Sequence, residues 1–182
     1  MPKTNLILAD ARPSIPVLDP LLEILRLRRY PNRANGNCAL ESSIQADKGS
    51  SALPDELAVL ILRSDCMKLV QTLATDGSKE TKALLATHFE HGTNDELSQT
   101  EIDDATLAST LEWIEEMEQD HVPADLLMLM AICTKLDIGM RIHTDEVGFT
   151  QDVIGLDLSK PPSAKIIDLA YFRLQDEVNL HR

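Results

Sequence analysis

The hydrophobic period of this chain changes once, at Asp137, and that change limits the folds open to it. Before Asp137 the apolar residues recur at helical spacing. After it, Ile138, Met140 and Ile142 alternate with Gly139, Arg141 and His143, a period of two that predicts a strand. Helices therefore come first and strands last, with no strand–helix–strand alternation. The expected class is α+β: a helical layer packed on a small, mainly antiparallel sheet. Aromatic residues make up only 3% of the 182, so Leu, Ile, Val, Met and Ala must build the core, which favours helices over a sandwich or barrel. The length suits a single domain, 1–182, with an N-terminal helical segment over 1–30.

Local signals predict the helix boundaries. Asp19-Pro20 pairs an N-cap acid with Pro at the first helical position, and Leu21, Ile24 and Leu25 then share a face as far as Tyr30-Pro31. A polar turn follows over 32–37, and a second helix runs from Cys38 to about Asp47. Gly49-Ser50-Ser51 breaks it. Pro54-Asp55-Glu56 opens a long helix with Leu57, Leu60, Ile61, Leu69 and Leu73 at helical spacing. Gly77 ends that helix and Ser78 caps the next, which carries Leu84, Leu85 and Phe89. A further helix carries Leu107, Leu111, Ile114 and Met117, with Trp113 expected to anchor the layer. Pro123 opens the last, with Leu126, Leu127, Met130 and Ile132. Beyond the period change, Asp145–Gly148 is a turn, Phe149–Ile154 is expected to pair back as a hairpin, Ile166–Phe172 is a β-rich run, and Val178–His181 is a final short strand.

With 30 acids and 17 bases the net charge is −13. Such a surface repels phosphate backbones and anionic lipid, which argues against nucleic-acid and membrane partners and leaves a basic protein or peptide acceptable. No apolar run is long enough to span a bilayer. Three cysteines are an odd number without framework spacing, which points to a reducing compartment. A cytoplasmic setting is expected, and a protein delivered into a host cytosol by a secretion machine would share these features. A monomer is expected. No nucleotide, zinc-protease or EF-hand motif is present, and no cofactor or metal is expected.

The chemistry concentrates in Asn35-Gly36-Asn37-Cys38-Ala39-Leu40. A cysteine directly after a small polar turn and before a helix places its sulfur among unpaired N–H groups at the positive end of the dipole, where the thiolate is favoured. The N–H groups of Gly36, Asn37 and Cys38 can also receive a developing oxyanion. The competing expectation is a small buried residue that merely opens a helix. Cys66 and Cys133, among helical apolar positions, are expected to pack in the core.

A nucleophilic cysteine needs a base, and five histidines are candidates: His88, His91, His121, His143 and His181. His88 and His91 are spaced i, i+3, but no Cys or second His cluster completes a metal site. His121 follows an acidic run at a solvated helix end, and His143 falls on the outward, exposed side of a strand. His181 lies at the end of the final strand, where Asn179 is two residues back and shares its side. Such an Asn can accept the ring N–H and fix the tautomer, with Asp10 and Asp176 as less local candidates.

The block Asn35–Leu40 followed by a helix resembles the Asp-Gly-(Asn/Asp)-Cys-Leu-Phe block of OTU-type (ovarian-tumour domain) cysteine proteases, which are deubiquitinases. The later order is also similar: Trp113; a helix from Pro123 to Lys135 with Leu127, Met130 and Ala131; an Ile-rich strand, Ile138–His143; and a closing run, Ile166–Phe172 with Asn179-Leu180-His181. The resemblance covers about residues 30–182. It implies a papain-like, OTU-like fold with a protease core over 31–182, Cys38 as nucleophile, His181 as general base, and an oxyanion loop at Asn35, Gly36 and Asn37. It also implies a substrate: ubiquitin or a ubiquitin-like modifier, whose tail arginines an acidic cleft would hold. Three positions depart from the family. Asn35 replaces Asp, Ala39-Leu40-Glu41 replaces Leu-Phe-Arg, and His181 is followed only by Arg182 where an aromatic and then an Asp or Asn is usual. Asn179 or Asp10 would then complete the catalytic set. The alternative is a catalytically inactive OTU-like module that binds ubiquitin or another protein.

Overall fold

The computed structural model describes residues 6–8, 29–31, 36–92, 97–119, 122–144 and 150–171. In them a helical layer packs on one mixed sheet, an α+β architecture. The helices are α1 (Cys38–Lys48), α2 (Glu56–Asp76), α3 (Lys79–His88), α4 (Gln99–Met117) and α5 (Leu126–Leu136). The strands are β1 (Leu6–Leu8), β2 (Arg29–Pro31), β3 (Gly139–Thr144), β4 (Thr150–Val153) and β5 (Ile166–Tyr171).

Four of the five described helices, α2 to α5, begin where a side chain satisfies one of their orphan N–H groups. Asp55 accepts from the Leu57 N–H, Ser78 from Thr81, and Asp125 from Met128. Ser98 and Glu101 form a reciprocal capping box at α4. The ends are as local. Gly49, at φ 62°, closes α1 in the left-handed region that glycine enters without penalty. Asp137, at φ 50°, closes α5, and the next residue but one opens β3. The change of period at Asp137 is therefore a helix end in the left-handed conformation.

The sheet corrects the expected topology. Its order is β2-β1-β5-β3-β4. Only β3–β4 is antiparallel, while β1–β2, β1–β5 and β3–β5 are parallel. The expected antiparallel character held for the one pair joined by a short connection. Parallel partners need long crossovers, which leave no turn signature between the runs they join. The expected N-terminal helical segment contributes two strands instead, β1 and β2. Each has three residues, too few to display a period. The expected helix from Pro20 and the expected strand Val178–His181 lie outside the described residues.

One face of the sheet is apolar. Met140, Val153, Ile167 and Leu169 are buried beneath α1 and α5, against Leu40, Leu127, Met128, Ala131 and Ile132. Trp113 joins this core, and its Nε1 donates to Asp125 Oδ2 at 2.7 Å. In α2 the buried stripe is Val59, Leu62, Cys66, Val70 and Leu73, whereas Leu57, Leu60 and Ile61 are exposed. Leu111 and Leu126 are exposed too, and Thr106 and Thr110 take the inner face of α4. Apolar spacing located these helices; of the residues it picked out, Leu73, Met117, Leu127 and Ile132 are buried, and Leu57, Leu60, Ile61, Leu111 and Leu126 are not.

Among the described residues α1 is the helix most enclosed. It lies between β1 and β5 on one side and α2 and α5 on the other. Six consecutive residues, Leu40 to Gln45, are buried, so its whole circumference is covered. Polar members of the run are held locally: Ser43 Oγ donates to the Ala39 carbonyl at 2.6 Å, and Gln45 Nε2 to the Ala52 carbonyl at 3.2 Å.

Candidate functional site

Cys38 is the first residue of α1, and Asn37 is its N-cap, with φ −91° and ψ 0°. The Asn37 carbonyl accepts the first intrahelical bond, from the Glu41 N–H at 3.0 Å. The sulfur thus stands at a helix start, as the sequence predicts, and the helix it opens is enclosed.

The Asn37 side chain does not cap this helix. Its Oδ1 accepts from Arg63 Nε at 3.0 Å. Arg63, in the third turn of α2, is only 5% exposed. Its Nη2 donates to the Gly36 carbonyl at 3.2 Å and to the Val122 carbonyl at 2.9 Å, and its Nη1 to the Met117 carbonyl at 2.8 Å. One guanidinium therefore joins the turn before Cys38 to the end of α4 and the approach to α5. A rigid planar fork suits this task in a way that a lysine ammonium does not.

The thiol's electrostatics correct the expectation of a depressed pKa. Cys38 is half-buried. Burial is the largest influence and pushes the thiol above its ordinary value. The Ala39 N–H pulls it down, the Glu41 carboxylate pushes it up, and the Cys38 N–H and Arg63 pull it down by less. The helix start acts in the expected direction, and desolvation outweighs it.

The three described histidines are engaged elsewhere. His88 packs edge-on to Phe89, with ring centroids 5.0 Å apart. His91 Nε2 lies 2.9 Å from Ser109 Oγ, fastening the residues after α3 to α4. His143 Nε2 lies 2.9 Å from Asp168 Oδ1 on the neighbouring strand. His143 is not the exposed residue expected, since its side chain is 12% accessible and that of Asp168 is 16%. Beside them Arg141 and Asp152 form a two-point ion pair on the same strands and their neighbour β4. His181, Asn179, Asn35, His121, Asp10 and Asp176 lie outside the described residues, so of the expected constellation Cys38, Gly36 and Asn37 are placed together. Among the described residues no group of three or more His, Cys, Asp or Glu side chains is arranged to hold a metal ion, and no helix is long and apolar enough to cross a membrane.

Cys66 and Cys133 are free thiols in the core, each pushed up to about 12 by burial. The residue the sequence does not reveal is Arg63. As a charged residue in a long helix, it reads as a solvent-facing position. The available signal is its spacing: it follows Val59 by four and precedes Cys66 by three, on the stripe that is buried.

No protein-family model, no curated protein and no solved structure matches this chain.

Proposed function

We propose that this chain is a cysteine protease that cleaves ubiquitin or a ubiquitin-like modifier from conjugates, on a papain-like, OTU-like fold. The observation that carries this reading is the placement of Cys38: first residue of an enclosed helix, directly after a Gly-Asn turn held by a buried guanidinium. In the mechanism, Cys38 Sγ attacks the isopeptide carbonyl carbon, and His181 takes the thiol proton. Backbone N–H groups of the Asn35–Cys38 turn receive the negative charge that develops on the carbonyl oxygen. The tetrahedral intermediate collapses as His181 protonates the departing lysine amine, leaving a thioester that water hydrolyses. Asn179 orients the imidazole. The net charge of −13 favours a basic tail as ligand.

A second reading is favoured by one observation. The burial that raises the Cys38 thiol suits an inactive module of the same fold that binds ubiquitin without turning it over. A ubiquitin probe with a C-terminal electrophile separates the two. Covalent labelling of the wild type and none of Cys38→Ala is the outcome for a protease. Binding of both proteins to ubiquitin, with neither labelled, selects the module.

A further inference from the structure

The first two turns of α2 turn an apolar stripe outward. Leu57, Leu60 and Ile61 are spaced i, i+3, i+4, which puts them on one face, and each is between 44% and 62% exposed. Leu53, just before the helix, is exposed too. The helix already buries a full apolar face from Val59 to Leu73, so this second stripe is not what holds it in the layer. The stripe stops after Ile61. Further along the same face stand Ser64 and then Lys68.

Acids border the stripe. Asp55 and Glu56 are exposed at its start. Arg63, three residues after Leu60, donates to the Met117 carbonyl at 2.8 Å, which brings the last turn of α4 alongside. Glu115 and Glu118 are exposed within a turn of that junction, and α4 has no lysine or arginine along its length. Acids at the end of a helix meet the negative pole of its dipole, so this placement does not serve α4 itself.

We propose that this face of α2 is a docking surface for a partner protein that presents a basic amphipathic helix. The partner's apolar side chains cover Leu57, Leu60 and Ile61, and its lysines or arginines reach Glu115 and Glu118. Charge decides among the occupants. A second copy of this chain brings another −13 and the same acids to the contact, and an anionic membrane is repelled in the same way. A basic helix is steered in by the acids, and the apolar stripe supplies the dry centre of the contact. A two-turn stripe suits a short helix laid along it and anchored at i, i+3, i+4 and i+7. The surface borders the candidate site, because Arg63 also holds the Gly36 carbonyl. The proposal does not rest on the protease reading.

The probe is a dye-labelled synthetic peptide of about 18 residues, long enough to hold a helix. It carries Leu at i, i+3, i+4 and i+7 and Lys on the opposite face. The full chain is titrated into it at low salt and binding is read by fluorescence anisotropy. The Leu57→Gln/Ile61→Gln double variant keeps good helix formers at exposed positions, so it is expected to fold and to bind about tenfold or more weakly than the wild type. Glu115→Gln/Glu118→Gln is expected to weaken binding about threefold and to flatten its dependence on salt. A peptide with Glu in place of Lys should not bind. Wild-type affinity in the Leu57→Gln/Ile61→Gln variant overturns the proposal, as does absence of binding by the Lys peptide or equal binding of the Glu peptide. A wild-type dimer in sedimentation, lost in Leu57→Gln/Ile61→Gln, gives the face to a second copy and overturns it too. Binding to phosphatidylcholine vesicles, lost in the same variant, gives the face to lipid with the same result.

Discussion

His143 on β3 and Asp168 on β5 meet across two parallel strands, with Nε2 2.9 Å from Oδ1. Both side chains are largely shielded from solvent, which places the pair above the small contribution of an exposed ion pair. His143→Ala strands the Asp168 carboxylate in this setting and is expected to lower stability by about 1–3 kcal/mol. Urea denaturation monitored by circular dichroism reads the change. Labelling by the ubiquitin probe is expected to be unaffected, which separates this histidine from His181.

In the proposed mechanism Cys38→Ala abolishes turnover outright. His181→Ala is expected to lower kcat by about a hundredfold or more, the scale of a lost general base. Asn179→Ala should cost less, since orientation is lost and the proton acceptor is kept. Single-turnover cleavage of a fluorogenic ubiquitin substrate gives the order of the three. Equal activity of His181→Ala and wild type would remove His181 from the mechanism.

The three thiols should separate by reactivity. Cys66 and Cys133 are fully buried and raised to about 12, so they should resist iodoacetamide in the folded state, where half-buried Cys38 reacts. Intact-mass analysis should show one adduct on the native protein and three in urea. Because burial raises the Cys38 thiol, its native rate should keep climbing with pH through the range of an ordinary thiol, without a plateau near neutrality.

The same burial has a consequence for stability. In the unfolded chain a thiol ionises near pH ~8.5, whereas folded Cys66 and Cys133 hold their protons up to about 12. Between these values the native state binds more protons than the unfolded state, so stability falls as pH rises. The stabilisation is complete below pH ~8.5 and is lost at about 1.4 kcal/mol per pH unit for each thiol. Replacing both cysteines with alanine should flatten this alkaline limb in urea titrations at successive pH values.

Asp125 serves two elements, with Oδ2 accepting from Trp113 and Oδ1 from the Met128 N–H at the start of α5. Asp125→Ala removes a cap and leaves a largely buried indole N–H without its acceptor. A loss of about 2–4 kcal/mol is expected, together with a change in emission from the sole tryptophan.

Much of the helical layer is legible in the sequence because its determinants are local: Ser78 and Ser98 cap, Gly49 and Asp137 close, and apolar spacing fills the interval. Which face turns inward is not local. Leu57, Leu60 and Ile61 form as good an apolar stripe as Val59, Leu62 and Cys66, and only the neighbouring helices select between them. The same choice hides Arg63, whose acceptors are 26 to 59 residues away in the chain. For the site, the turn and the cysteine are readable from adjacent residues. The state of the thiol is not, because it depends on how much of the fold closes over it.

The sheet order has a consequence for synthesis. β5 stands between β1 and β3, so residues 6–8 acquire one of their two partners only when residues 168–170 exist. A nascent chain that has completed all five described helices still lacks the strand that joins the two halves of its sheet. A chain ended before Ile166 would hold only the separate pairs β2–β1 and β3–β4. Closure of this fold is thus a late event on the ribosome, and the apolar face that covers α1 stays incomplete until then.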